Sequence, residues 1–327
     1  MDSKANKLKS LVKSKKTTYI LMTLLVFFWG MEYIAAKTAL ELIQPLSLVF
    51  IKYTIGLACL VISKIVVDRR MPFRLKDVPI VLLCSLFGDV LYFGSEYTAM
   101  DYLPVSVITI ILAFVPCVSL LIEAVIYKKL PTVPILVGVF VCVLGVAMVI
   151  GADFKELLNG KYLGYLLAFG AVVCWNIYNF VTKGLSEKYK PLDLTIFQQI
   201  CAIALVLPYA ITHLPAKELI TSEVVTGIMY LGMVSAFLGF LIYIHGIDIL
   251  GPTPCALFSN FMPVTTTFFG WIFLGEMVST IQMIGGIVVI ASGAFVIWKE
   301  GQLDDLKKHK GVGNSEPKKI HESNNKE

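Results

Sequence analysis

Residues 29–48 read WGMEYIAAKTALELIQPLSL, and residues 175–194 read WNIYNFVTKGLSEKYKPLDL. Trp29, Lys37, Glu41, Pro45, Leu46 and Leu48 return 146 positions later as Trp175, Lys183, Glu187, Pro191, Leu192 and Leu194. Further along the offset becomes 147, where Asp101, Leu103, Phe114, Pro116 and Gly138 answer to Asp248, Leu250, Phe261, Pro263 and Gly285. A chain that repeats itself at a fixed period is built from a duplicated unit.

The surroundings of the two stretches say what that unit is. The chain has 327 residues, 57% of them hydrophobic and 16% charged, with a mean hydropathy of +0.78. That composition excludes an ordinary soluble protein. Ten apolar runs are long enough to cross a hydrocarbon layer of about 30 Å: 17–39, 46–66, 78–100, 105–127, 133–151, 162–182, 192–212, 225–247, 253–274 and 281–298. They are about twice the length of a barrel strand and lack strict alternation, so they are helices. Five runs fall in each copy, and an odd number inverts the second copy in the bilayer. The expected fold is an all-α polytopic membrane protein, its ten transmembrane helices forming two inverted five-helix repeats around a central cavity. A leader at 1–16, repeats at 17–151 and 162–298, and a tail at 299–327 complete the expected organisation. The tail has little to bury and should be disordered beyond a brief helical extension.

Charge placement sets the expected orientation. Of 28 basic residues, 23 fall on the side that carries both termini, and only Lys37, Lys155, Lys161 and Lys217 on the other; Lys52 lies within a run. The positive-inside rule then puts both termini in the cytoplasm of a prokaryotic plasma membrane. The first run belongs to the repeat, which argues against a cleaved signal peptide. Asp2 stands where a myristoylation signal needs Gly. The net charge of +5 follows this topology and does not point to nucleic acid. All seven cysteines fall inside runs without a CxxC pair, and the four histidines have no metal-ligand spacing. No metal and no cofactor are expected. The expected partners are a small-molecule solute and membrane lipid.

Ionisable groups deep in lipid need a partner, a cavity or neutralisation. The first repeat carries Glu32, Lys52, Asp89, Glu96 and Glu123, where the second has Tyr178, Gln198, Ala236, Tyr243 and Gly270. All five ionised would leave a net charge of −3 in the interior, so at least one acid should be neutral or face a cation or water. One reading is a polar cavity for a cationic or zwitterionic solute, or for a proton carried by a carboxyl such as Asp89. The other is structural: Glu32 pairs with Lys52, and Glu96 snorkels to the boundary. Trp175, Asn176, Tyr178 and Asn179 form a polar turn in the sixth helix, with Gln198, Gln199 and Asn260 further on. They suit a pocket wall, but interhelical hydrogen bonds explain such amides equally well. Pro116 and Pro263, mirrored near the centres of helices 4 and 9, should bend both around the midplane. Gly138 and Gly145 in helix 5 match Gly285 and Ser292–Gly293 in helix 10, marking a tight contact either inside the chain or across a homodimer.

Phe28-Trp29-Gly30, Pro116 before Lys128–Lys129, and Phe261-Met262-Pro263 before Leu274-Gly275-Glu276 together resemble the two EamA repeats of the drug/metabolite transporter superfamily, over about 17–298. The resemblance implies a cavity formed by helices 1–4 and 6–9, peripheral helices 5 and 10, alternating access, and solutes such as amino acids, nucleoside-like metabolites or drugs, often moved outward. The first repeat departs from the pattern, with Lys128–Lys129 opposite Gly275–Glu276. Glu276 is therefore expected to cap a loop rather than serve transport. The expected function is a secondary transporter, not an enzyme, since no GxxxxGK[ST] motif is present. An intramembrane protease is the alternative suggested by Gly88-Asp89. However, Leu86 breaks GxGD, no Asp follows a Tyr, and HExxH is absent. A non-transporting scaffold or receptor would leave the mirrored prolines and buried acids without a purpose.

Overall fold

The computed structural model describes residues 14–126, 132–151, 161–215, 221–251, 255, 258 and 261–312. Among them every regular element is helical. The helices are α1 (Lys15–Leu40), α2 (Pro45–Val67), α3 (Leu75–Ala99), α4 (Val105–Leu112 continued by Val115–Ile126), α5 (Val133–Gly151), α6 (Tyr162–Ser186), α7 (Pro191–Ala210), α8 (Ser222–Leu250), α9 (Met262–Leu274) and α10 (Thr280–Val312). Seven of them (α1–α4 and α6–α8) are long and apolar enough to cross a membrane, whereas the apolar parts of α5, α9 and α10 are shorter. Helix α10 carries a helical extension of the tail to Val312. Asn260, Lys128, Lys129 and residues 313–327 lie outside the described residues, as does the side chain of Glu123.

The repeat begins each copy's second helix in the same way. Pro45 and Pro191 occupy the first turns of α2 and α7, after extended Gln44 and Lys190. Proline's fixed φ suits a helix start, and its missing N–H costs nothing there. Helices α8 and α9 stop at Gly251 (φ 93°) and Gly275 (φ 64°), left-handed positions that favour glycine.

Packing follows the mirror. Helix α2 packs on α7 and α5 on α10, each with its own counterpart, while α3 on α6 is matched by α8 on α1. Likewise α1 on α9 answers to α6 on α4. The prolines sit where helices restart. α4 breaks at Ala113–Phe114 and resumes at Val115, placing Pro116 in a first turn; α9 begins at Met262, just ahead of Pro263.

The small residues of α5 and α10 face each other within one chain. A Cβ at Gly145 would lie 3.0 Å from the Gly285 carbonyl oxygen, and one at Gly285 2.8 Å from that of Gly145. The outward faces, with Val137, Phe140, Leu144, Ile284 and Ile287, are exposed and apolar. Gly285→Val should therefore destabilise the protein by about 1–3 kcal/mol through overpacking against backbone. Melting in detergent checks this, with Gly170→Ala as control, because nothing lies within 4 Å of that added Cβ.

Candidate functional site

The two copies touch through their own matching aromatics. Trp29 and Trp175 meet edge to face at 5.8 Å between ring centroids. Phe93 and Phe240, 147 positions apart, lie 6.1 Å from each other. Tyr92, Tyr178 and Tyr243 complete the cluster around Trp175, at 4.6, 5.0 and 5.2 Å. Edge and offset arrangements suit the quadrupoles of the rings, at about 0.5–1.5 kcal/mol per pair beyond burial. The pseudo-twofold axis thus passes through an aromatic box to which both repeats contribute.

Charge enters this box from the first repeat alone. Lys52, wholly buried on α2, places Nζ 2.5 Å from Glu32 Oε1 of α1. It also donates to Tyr97 Oη at 3.1 Å and lies 3.3 Å from the centre of the Phe93 ring. Tyr97 in turn donates to Glu32 Oε1 at 3.3 Å. Glu96 does not snorkel. It is 2% exposed, and its Oε1 accepts from Tyr33 and Tyr92, each at 2.7 Å. The carboxyl sits too far inside the bundle, between two phenols, to reach the boundary.

A cavity of about 20 Å³ lies between these groups, lined by Trp29, Glu32, Tyr33, Tyr92, Phe93, Glu96 and Trp175, with apolar residues of α4 and α9. That volume admits a water molecule and no metabolite. The conformation therefore has no room for a solute at this site, and one can be held only after the helices move apart.

Asp89 lies one layer away. Its Oδ1 accepts from Tyr53 at 2.7 Å, while buried Oδ2 has no hydrogen-bond partner among the described residues. It sits in a wide-turn segment of α3, Leu86–Leu91, where the backbone bonds run i to i+5. The mirrored stretch of α8, Leu231–Gly239, is widened in the same way. Such widened turns concentrate at functional sites. Next to Asp89, a Cβ at Gly88 would overlap the Tyr178 ring, so glycine brings α3 against α6 at this level.

The amide N–H groups of Asn176, Gln198 and Gln199 are committed elsewhere, whereas the buried Oδ1 of Asn176 and Oε1 of Gln199 have no hydrogen-bond partner among the described residues. Asn176 donates to the carbonyls of Val172 (2.9 Å) and Val115 (3.3 Å). Asn179 accepts from Tyr243 at 2.9 Å. Gln198 donates to Thr182 and Cys84, both at 3.1 Å, and accepts from Tyr178 at 3.4 Å. Gln199 donates to the Ala236 carbonyl at 2.5 Å. The structure thus gathers Glu32, Glu96 and Trp175 around the cavity, sets Lys52 behind Glu32, places Asp89 and Tyr178 in the next layer, and turns the amide groups of Asn176, Asn179 and Gln198 to helix–helix bonds. In the sequence the phenols of Tyr53, Tyr92 and Tyr97 each look like one more apolar-run aromatic. Their spacing from the acids was the available signal: Tyr92 precedes Glu96 by one helical turn.

A second polar cluster joins the repeats at one end. Lys64 at the close of α2 pairs with Asp193 in the first turn of α7 at 2.5 Å, both side chains 3% exposed. Asp77 at the start of α3 takes Lys188 at 3.1 Å and the Tyr189 phenol at 2.8 Å. Burial, then the bond to Asp77, raises the Tyr189 phenol above its ordinary range, so it remains a donor at neutral pH. At the opposite end the mirrored positions are Ala210, Ser47, Val224, Leu42 and Ile43. There one hydrogen bond, Ser47 to the His213 carbonyl at 2.9 Å, does the equivalent job. Glu276 caps a helix, not a loop: its carboxylate accepts from the Val105 N–H (3.1 Å), Ser106 N–H (3.4 Å) and Ser106 hydroxyl (3.0 Å) at the start of α4. Acceptors are favoured at a helix N-terminus.

The EamA-like transporter family profile matches residues 16–151 and again 162–298. The chain belongs to the EamA-like transporter family. An uncharacterized transporter of Archaeoglobus fulgidus is 22% identical over 282 residues, covering 85% of this chain and 98% of the relative. A probable terminal-alkyne amino-acid exporter of Streptantibioticus cattleyicolor is 23% identical, covering 86% and 93%. A solved crystal structure superposes with a TM-score of 0.64 at 18% identity, over 86% of this chain and 98% of its own, a likeness of fold. The EamA protein is thus a multi-pass membrane transporter rather than an enzyme. Its aromatic box lies where the two family repeats meet.

Proposed function

We propose that this EamA protein is a secondary transporter of a prokaryotic plasma membrane, exporting a small polar or amphipathic metabolite by alternating access. The observation that carries the reading is the small cavity between the two repeats, walled by both and holding Glu32 and Glu96, with Lys52 paired to Glu32 behind it. A site shared by two inverted units opens to either side when one unit rocks against the other. The distribution of basic residues supports cytoplasmic termini, and in this reading a 1–16 leader and a 299–327 tail flank the repeats at 17–151 and 162–298. The end latched by Lys64, Asp77, Lys188 and Asp193 is then the cytoplasmic one. The name of the Streptantibioticus relative supports export of an amino-acid-like solute. The small-residue faces of α5 and α10 are already spent inside the chain, so a homodimer through these helices would use their outward apolar faces.

Solute flux in vesicles reconstituted with the purified protein tests the reading. Flux of no metabolite, in either direction, defeats it. Asp89 is the proposed proton carrier, being buried, without a cationic partner at hydrogen-bonding distance and set in a widened turn. Transport by the wild type should vary with pH, whereas Asp89→Asn, unable to release a proton, should give a flat profile. A wild-type rate and pH profile in Asp89→Asn would remove the residue from coupling.

A further inference from the structure

Resting on the transport reading, we infer that Asn176 and Thr265 are positioning residues for transport. They form two mirrored hydrogen-bonded staples, one at each broken helix, that stay closed through the cycle and serve as the pivot on which the repeats rock.

The two staples share their acceptors and differ in their donors. Asn176 Nδ2 on α6 donates to the carbonyls of Val172 at 2.9 Å and Val115 at 3.3 Å. Thr265 Oγ1 on α9 donates to those of Met262 at 3.0 Å and Val26 at 3.2 Å. Val26 stands 146 positions before Val172, and Val115 stands 147 before Met262. Both donors therefore serve the same pair of carbonyls in the duplicated unit, but from opposite helices. The position matching Asn176 is Gly30, and the one matching Thr265 is Val118. A Cβ at Gly30 would lie 2.3 Å from Thr265 Oγ1, so a donor on α9 leaves room for no side chain on α1. Val118 has no donor to offer, and there the amide comes from α6. The bond is kept while the residue that supplies it changes, which marks the bond itself as what the site requires.

Its place suits a pivot. Val115 and Met262 are the first residues of the segments in which α4 and α9 restart, whereas Val26 and Val172 lie near the middles of α1 and α6. Each staple thus ties the root of a broken helix to the middle of a helix from the other repeat. When two units rock about an axis at mid-depth, displacement grows with distance from that axis. Contacts at an end, such as the Lys64–Asp193 bridge, must break for the end to open, but bonds at the roots need not. Asn176 is wholly buried and Thr265 is 8% exposed, so an opened staple would strand a donor away from water. Two fixed points define an axis, and rotation about one axis obliges one end to close as the other opens.

That reciprocity is the test, in the purified full chain without its native thiols. A cysteine placed at Thr182 reports aqueous access on the latched side, and Ala36, 146 positions earlier, is the matching buried site on the other. Ala36→Trp wedges its own end apart, and labelling at 182 should then slow about ten-fold or more. Asn176→Leu with Thr265→Val removes both donors at nearly constant volume. In that background the wedge should leave the rate at 182 within about two-fold, because the ends now open independently. Val118→Thr with Asn176→Gly rebuilds the first staple in the form of the second and should keep the slowing that Asn176→Gly alone weakens. This last comparison decides the matter if the variant lacking both donors does not fold. Slowing that survives the loss of both staples, or a Val118→Thr that restores nothing, overturns the pivot and leaves the transport reading standing. No slowing by the wedge with both staples intact defeats both, since alternating access itself demands it.

Discussion

Lys52→Met should melt far below the wild type, with a loss of about 3–5 kcal/mol, and Lys52→Met combined with Glu32→Gln should recover most of it. Lys52 is fully buried and Glu32 is 4% exposed. Both charges have been removed from water, and their mutual attraction at 2.5 Å offsets that desolvation. Removing one partner leaves the other charge stranded, which is the costly case, whereas neutralising both is mild. The Phe93 face adds a cation–π contact at 3.3 Å, which Met replaces with a weaker apolar one. A double-mutant cycle in detergent melts measures the coupling. Lys52→Met melting like the wild type would show that the pair is not formed in the folded protein. Recovery in the double variant separates pairing from mere loss of packing, because a packing defect at Lys52 would persist there.

Much of the architecture was legible because the bilayer permits few solutions. Apolar runs of about 20 residues must be helices, and the 146-residue echo from Trp29 to Trp175 fixes which helices are equivalent. Matched prolines at 45 and 191 start matched helices. The lopsided charge pattern, Lys52 against Gln198 and Glu96 against Tyr243, was also visible, and the Glu32–Lys52 pairing was one of the two readings it allowed. Partner choice was not legible. Whether Asn176 faces a cavity or the Val115 carbonyl depends on helix rotation by a fraction of a turn, which composition does not encode. Residue count alone puts Glu96 near the boundary, whereas the phenols of Tyr33 and Tyr92 hold it inside. The wide turns of α3 and α8 have no sequence signature, although their mirrored placement follows once the repeat is known. The latch residues carry no signal in the sequence, because Asp77 and Asp193 sit at helix starts, where acids are ordinary.

Breaking the Lys64–Asp193 bridge should open one end of the protein and hardly affect the other. Asp193→Ala leaves the buried Lys64 ammonium with only the half-exposed Asp68 carboxylate, 3.7 Å away, in place of its 2.5 Å partner, a loss of about 3 kcal/mol confined to the latched conformation. By the relation of about 1.4 kcal/mol per ten-fold, the population with that end open should rise by about a hundred-fold. Adding Lys188→Ala, which removes the half-exposed pair to Asp77, should contribute less, since exposed pairs are worth about 1 kcal/mol at most. The readout is aqueous labelling of a cysteine placed at Thr182, a buried position of α6 between the latch and the box, in a background without the native thiols. Labelling from the latched side should accelerate sharply in Asp193→Ala, while Ser47→Ala, at the mirrored and uncharged end, should change the rate little. Reversing the pair as Lys64→Asp with Asp193→Lys should restore slow labelling only in part, because the swapped charges oppose both helix dipoles and Asp68 repels the new carboxylate. Equal acceleration by Ser47→Ala would instead mean that both ends close with similar strength, and the asymmetry of charge would then carry no asymmetry of gating. Under the proposed export reading the end held by ion pairs is the cytoplasmic one and loading is the step that must break them, so a variant lacking the bridge should load faster and leave the closed state more often.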